Sequence, residues 1–429
     1  MRPLEGFGHV ARQSGFAGGT QLAGAAVRLG VAVVVARLLG PSGLGQYILA
    51  LSLVNGATAV ACVGLDRAAL RFVAHHQGRA ERSEAVGMFL FASAVSATVA
   101  TIIAVVLFHG ASELAAWLHR PELAAAARIV AVCVPFSALG RVARAGLCGF
   151  EDVRLPLVLE QLGLPATTLA VLLGVHLVHP TSDAGVVAAA VAHSVVGVTS
   201  WLALLVRFRR EPAIPRMRVR SWLSFSMPMW VEGGMLYVVG ATAYAFLARY
   251  GETDAVAIYG SALRIAGLAG LPLLAVSSIF GPTISNLAAK DDLLRLQAMY
   301  SRLTWALVLV GAGLSAGLIV GGRWALALFG PRFSAGYGVL LVLAVGQFVN
   351  SGTGPSGLVL TMSGRAGWRL ATATLGAVLT VALSALLVPR WGEIGAAGAV
   401  VIASTTCNVA QVFEVRWLLG LWAYGRPNG

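Results

Sequence analysis

The sequence predicts an all-α polytopic membrane protein: about twelve transmembrane helices in two six-helix lobes around a central cavity. Three observations predict it. Hydrophobic residues make up 58% of the 429 residues, charged residues 11%, and the mean hydropathy is +0.80. A soluble domain carries roughly 25% charged residues, so the bilayer has to be the solvent. Apolar stretches of the length a spanning helix needs, about 20 residues, recur along the chain with short polar gaps. Finally, the two halves of the chain match one another at a constant offset.

The expected spans, in order, are Phe16–Ala36, Tyr47–Gly64, Val86–Phe108, Leu123–Leu147, Leu155–Val178 and Gly185–Val206. The second set is Leu223–Ala248, Ala257–Pro282, Leu303–Gly321, Gly336–Leu358, Leu370–Val388 and Ile394–Trp417. They are helices because an isolated strand cannot satisfy its backbone in lipid. The alternating pattern of a lipid-facing β-barrel is absent from the sequence. Phe16–Ala36 reads as a retained helix, since it is long enough to span and further spans follow. No expected loop exceeds about 20 residues on this span count, which leaves no room for a soluble catalytic domain.

The basic residues orient the helices. Of 31 Lys and Arg residues, 22 are assigned to the termini and the even-numbered loops. Seven go to odd-numbered loops: Arg37, Arg120, Arg128, Arg249, Arg323, Arg332 and Arg390. Arg28 and Arg264 fall inside spans. The positive-inside bias puts both termini in the cytoplasm of a bacterial inner membrane. The densest run, "RFRREPAIPRMRVR" at 207–220, is a topology anchor within a linker at 207–222. The linker joins an N-terminal lobe, 1–206, to a C-terminal lobe, 223–429. The net charge of +13 is spread over many loops, which argues against a nucleic-acid partner. Cys62, Cys133, Cys148 and Cys407 lack metal-ligand spacing and read as small hydrophobes. No cofactor is expected, and no Walker A sequence is present.

The internal match has an offset of about 212 residues. "ARLLGPSGLGQY" closes span one and "ARYGETDAVAIY" closes span seven; Arg37 to Tyr47 and Arg249 to Tyr259 are both ten residues. "AAWLHRPEL" meets "LALFGPRFS", and Arg154 meets Arg365, both at 211. Six helices per copy is an even number, so the copies insert in the same orientation, related by an axis along the membrane normal. Two such lobes rocking about a cavity give alternating access, the architecture of a transporter.

The stretch "ARLLGPSGLGQYILALSLV", followed by "GLDRAALRFVA", resembles the polysaccharide-exporter and Wzx-type flippase family. "GLCGFEDVRLPLVLEQLG" and "LTMSGRAGWRL" resemble it too, so the likeness runs over essentially the whole chain. That family is grouped with lipid II flippases and multidrug-and-toxin extruders. The resemblance implies a V-shaped fold and movement of an undecaprenyl-pyrophosphate-linked oligosaccharide from the cytoplasmic to the periplasmic leaflet. It also implies, as possible partners, the polysaccharide polymerase and glycosyltransferases of the same pathway.

The polar residues inside spans are the candidate site. Arg28 lies near the middle of span one, where an arginine costs about 2.5–3.5 kcal/mol on insertion scales. Gln21, Gly24 and Arg28 share one helical face, expected to line the lumen. Arg264 lies in span eight, with Ser261 one turn before it. The planar fork of arginine suits phosphate oxygens. By helix and depth the two also resemble the arginines of the lipid II flippases. The structural alternative is pairing with Glu160 or Glu232. Glu232, four residues after Pro228, is either a coupling-ion carrier or salt-bridged; Glu160, beside Gln161, is either a coupling group or solvated at the interface. Gln347 and Asn350 share a face of span ten with Gly354, and Asn408 and Gln411 share a face of span twelve with Ser404. They bind sugar hydroxyls or one another. Arg67 and Arg71 follow span two, either attracting the pyrophosphate or obeying the positive-inside rule. His193 reads as a packed core histidine. Gly313, Gly317 and Gly321, four apart, are expected at a close helix crossing, and Pro135, Pro165, Pro228, Pro272 and Pro355 to interrupt their spans.

Rival readings fit less well. A multidrug extruder of cations wants acidic groups in its cavity, where this sequence offers arginines. A major-facilitator transporter shares the helix count, but "GLDRAALRFV" lacks the glycine of that family's loop signature. A polysaccharide polymerase or ligase needs a large periplasmic loop, and the odd-numbered loops are short.

Overall fold

The computed structural model describes residues 3–78, 81–150, 154–178, 181, 183–209, 213–252 and 254–425. They form an all-helical protein. Ten helices among them are long and apolar enough to cross a membrane. Two are double length. Gly18–Ala61 has 44 residues and Gly367–Leu419 has 53; at 1.5 Å per residue each is about 65–80 Å long, twice a bilayer core. Each bends at a glycine with non-helical dihedrals, Gly40 (φ 70°) and Gly392 (φ 52°). Those two helices therefore carry spans one, two, eleven and twelve, and the other eight carry one span each. A proline adjoins or nearly adjoins each bend, Pro41 and Pro389.

The helices in order are α1 (Pro3–Ala61), α2 (Leu65–Gly78), α3 (Arg82–His109), α4 (Ala111–Trp117), α5 (Leu123–Gly149), α6 (Arg154–Val158), α7 (Leu164–Val178) and α8 (Ala184–Arg209). The second series is α9 (Val219–Tyr250), α10 (Ala255–Gly267), α11 (Leu271–Ala289), α12 (Leu293–Ala327), α13 (Tyr337–Gly352), α14 (Ser356–Met362) and α15 (Ala366–Leu419). Two spans are irregular at mid-length. A π turn, Leu159–Gly163, joins α6 to α7, and a 3₁₀ turn, Leu268–Gly270, joins α10 to α11. Pro272 and Pro355 stand at breaks, whereas α5 and α9 run through Pro135 and Pro228.

The helices divide into two compact units: Ala23–Tyr237, and Met1–Leu22 with Val238–Gly429. The unit boundary falls inside α9, downstream of the basic stretch. Arg216 N–H donates to Ser83 O at 2.9 Å, Arg218 pairs with Glu84 at 3.4 Å, and Trp222 is fully buried. The 213–222 segment is thus packed on α3; residues 210–212 of the basic run lie outside the described residues. The core of the first unit gathers Val54, Leu65, Met88, Val130, Val134 and Trp222. Its tightest crossing is α5 on α8, where a Cβ on Gly140 would meet the backbone of Gly197, and one on Gly197 the backbone of Phe136. Small residues let backbones approach this closely.

The expected crossing at Gly313, Gly317 and Gly321 is overturned. No described atom lies within 4 Å of a Cβ built on any of the three. The packed face of α12 is offset from them: Gly311 abuts Ser351, Gly322 abuts Leu340, and Ser315 donates to Ala344 O at 3.2 Å. The four-residue spacing is real, but it lies on an outward face with Leu314 and Val320 exposed nearby.

Candidate functional site

In the first unit, polar groups of α2 and of three spans meet in ion pairs. After α1 the chain turns through Val63 (φ 49°) and Gly64 (φ 69°), and a Cβ at Gly64 would strike Ser226 O. This turn delivers two adjacent residues, Asp66 and Arg67, to different neighbours. Asp66 Oδ2 accepts from Arg141 Nε on α5 at 2.7 Å. Arg67 Nη1 donates to Glu232 Oε2 on α9 at 3.0 Å. Next to them, Arg71 lies 4.3 Å from the centroid of the Phe225 ring.

Arg141 and Arg144 stand three residues apart on α5. Arg144 faces the π turn: its Nε is 3.4 Å from Glu160 Oε2, and its Nη1 donates to Ser200 Oγ on α8 at 3.4 Å. The next residue of that turn, Gln161, accepts a hydrogen bond from Arg28 on α1. Gln161 also fills the space over Gly24: a Cβ there would stand 2.7 Å from its Oε1. The Gly24–Arg28 face of α1 therefore lies against the π turn. Glu160 sits within electrostatic reach of Arg28 as well as pairing with Arg144. Gln21 is half-buried on α1, in the segment grouped with the second unit. His193 is buried on α8, its Nδ1 2.8 Å from Ala189 O.

In the second unit the polar groups are mostly neutral. Arg264, half-buried, donates to its own helix at Gly260 O, 3.1 Å away, one turn before the 3₁₀ break. Gln347 on α13 packs over that break, its Oε1 3.2 Å from where a Gly270 Cβ would stand. That Oε1 is buried without a hydrogen bond from any described residue. One turn on, Asn350 Oδ1 accepts from Asn408 Nδ2 on α15 at 2.9 Å. Gln411, a turn further along α15, lies over Gly357 of α14, beside Arg369. The structure thus brings Asn350 to Asn408, Arg67 to Glu232, and Glu160 to Arg144; Arg28 and Arg264 belong to separate units.

Comparison with known proteins fixes the family. The model of the polysaccharide biosynthesis protein family matches residues 10–288, about two thirds of the chain. The chain belongs to this family. The matched segment holds Arg28, Arg67, Arg141, Arg144, Glu160, Glu232 and Arg264, while Gln347, Asn350, Asn408 and Gln411 lie beyond it. Among curated protein sequences, none matches significantly.

Solved structures give the fold. An inward-facing multidrug resistance MATE family transporter of the MOP superfamily matches with TM-score 0.80 at 15% identity, covering 92% of this chain and 94% of that one. A MATE protein in its straight conformation matches at TM-score 0.68 and 16% identity, over 96% and 95%. A MOP superfamily transporter from Pyrococcus furiosus, described as having a binding pocket of reverse polarity suggesting a different function, matches at TM-score 0.66 and 15% identity, over 96% of both chains. The fold of this multi-pass membrane protein is that of the MOP superfamily transporters.

Proposed function

We propose that this protein is a flippase. It moves an undecaprenyl-pyrophosphate-linked oligosaccharide from the cytoplasmic to the periplasmic leaflet of a bacterial inner membrane by alternating access. The lipid-linked repeat unit would serve the synthesis of a cell-surface polysaccharide such as O-antigen or exopolysaccharide, alongside a polymerase and glycosyltransferases. Both termini are cytoplasmic on this reading.

The observation that carries it is the arginine content of the spans. Arg28, Arg141 and Arg144 occupy one unit and Arg264 the other, all within membrane-crossing helices. A pyrophosphate carries several negative charges, and guanidinium groups bind phosphate oxygens in pairs. Arg28 and Arg264 are the assigned phosphate ligands. Arg67 attracts the anion, Gln21, Gln347, Asn350, Asn408 and Gln411 contact sugar, and Glu232 and Glu160 are the candidate coupling groups. Asn350 and Asn408 satisfy one another and exchange that bond for sugar hydroxyls.

The MATE-like fold favours a second reading, export of a small molecule. A cation exporter needs acidic groups without resident partners. Here Asp66, Glu160 and Glu232 each face an arginine within 3.4 Å. The Pyrococcus furiosus transporter, with its pocket of reverse polarity, supports a departure of this kind on the same fold. Flipping in purified proteoliposomes decides between the two. Undecaprenyl-pyrophosphate oligosaccharide supplied to one leaflet becomes accessible on the other if the reading holds. Failure with several donor lipids, together with transport of an organic cation, rejects it.

A further inference from the structure

Two arginines three residues apart on α5 are held in contrasting ways. Arg141 is locked by Asp66, Nε to Oδ2 at 2.7 Å. Arg144 has only loose partners, Glu160 and Ser200, each at 3.4 Å. Its side chain is 13% exposed, and its Nε, although within ion-pair range of Glu160, makes no hydrogen bond among the described residues. A guanidinium offers five N–H donors in a fixed fork. Ser200 Oγ commits its own proton to Val196 O at 2.6 Å, leaving a lone pair as all it gives Arg144. The partner that reaches Arg144 from the other side, Glu160, is 55% exposed. A buried cation is therefore held by a hydroxyl and by a carboxylate that stands in the open.

The backbone around Glu160 adds a second observation. Glu160 and Gln161 lie in the π turn Leu159–Gly163. Single π turns inside α-helices depart from the regular hydrogen-bond pattern and occur frequently at functional sites. Here consecutive residues each cover an arginine: Glu160 covers Arg144, and Gln161 covers Arg28. A carboxylate and an amide oxygen occupy donor sites that two phosphate groups could take.

We propose that Arg144 is a further phosphate-binding residue and that Glu160 is its resident counter-ion, displaced when a pyrophosphate enters. The inference rests on the flippase reading and adds to it a binding arginine outside spans one and eight. The exchange also gives release a cause: the tethered carboxylate returns to Arg144 and competes the anion off.

The test uses full-length protein in nanodiscs, titrated calorimetrically with inorganic pyrophosphate, and proteoliposomes assayed for flipping. Glu160→Gln removes the competitor while keeping size and hydrogen bonding. It binds pyrophosphate about tenfold more tightly than wild type, as expected for losing one charged partner, and turns over more slowly because release is hindered. Arg144→Lys keeps the charge and loses the fork, binding more weakly while its melting temperature stays near that of wild type. Wild-type flipping combined with unchanged pyrophosphate affinity in Glu160→Gln overturns the counter-ion assignment and leaves the flippase standing. Unchanged affinity in Arg144→Lys overturns the fork. Absence of both pyrophosphate binding and flipping in wild type removes the flippase reading and this inference with it.

Discussion

The unit formed by residues 23–237 is held across its helices by charge, whereas the unit built on residues 238–429 uses neutral groups. In the first, Asp66–Arg141, Arg67–Glu232, Arg144–Glu160 and Arg218–Glu84 join α2, α3, α5, the α6–α7 span and the start of α9. In the second, the described ties between helices are mostly amides and hydroxyls, although Arg369 on α15 also donates to Thr361 Oγ1 on α14 at 3.5 Å. Asn408 donates to Asn350, Gln297 both donates to and accepts from Trp422 at 2.7 Å, and Tyr300 shares a 2.7 Å bond with Ser356. Ion pairs there, such as Arg295–Asp292 and Arg332–Asp254, involve arginines about 80% exposed at helix ends. Yet the helical frame repeats: α3 opens at 82 and α12 at 293, and α6 at 154 and α15 at 366. The two halves thus share helix starts and differ in the chemistry that ties their helices together.

The comparison breaks first on transport. Arg28→Ala is expected to lower flipping in proteoliposomes by about a hundredfold, the scale of losing a charge-assisted phosphate contact. Arg264→Ala, in the neutral unit, is expected to cost about tenfold. A larger loss at Arg264 would place the stronger anion contact in the second unit.

Stability separates the units next. Asp66→Ala strips the tight partner from Arg141. Removing one member of a fully buried pair costs about 3–5 kcal/mol, and since the Arg141 side chain is 40% exposed the expected loss is nearer 2 kcal/mol. Asn350→Ala breaks a neutral interhelical bond, worth about 0.6 kcal/mol on average in membranes. Unfolding in mild detergent should therefore rank Asp66→Ala well below Asn350→Ala. The reverse order would mean that the ionic ties are surface ornament.

How far these differences could be read from sequence depends on the kind of signal. The spans were legible because a bilayer demands about 20 apolar residues and almost nothing else does. Spans one and two, and spans eleven and twelve, are the same spans joined across the non-helical glycines Gly40 and Gly392. Arg28 stood out because a charge alone in an apolar run has to face a polar cavity or a partner. Arg141 and Arg144 did not, because "GRVARAG" near a span end looks like positive-inside flanking. A signal was available: both fall within Leu123–Leu147. Pairings such as Arg67 with Glu232 join residues 165 apart and follow only from packing. Gly24 was read as one of three lumen-facing positions, and its role as clearance for Gln161 needed the neighbouring helix to be in place.

The smallest expected effect is the one that sharpens the packing half of the comparison. α5 and α8 cross at Gly140 and Gly197, where an added Cβ would meet backbone that cannot move aside. Gly197→Ala should cost about 1–3 kcal/mol, the range for overpacking a tight interior. Gly317→Ala on α12 meets open space and removes a flexible residue from a helix, so it should stabilise slightly, by up to about 1 kcal/mol. The same substitution thus changes sign between two glycines, and the four-residue spacing marks only Gly317, the one that meets open space. Loss of stability at Gly317 comparable to that at Gly197 would mean that the outward face of α12 is covered in the membrane, as it would be by a second copy of the chain. A small gain in melting temperature at Gly317, beside a clear loss at Gly197, assigns close packing to the ion-paired unit and leaves the glycine face of α12 to lipid.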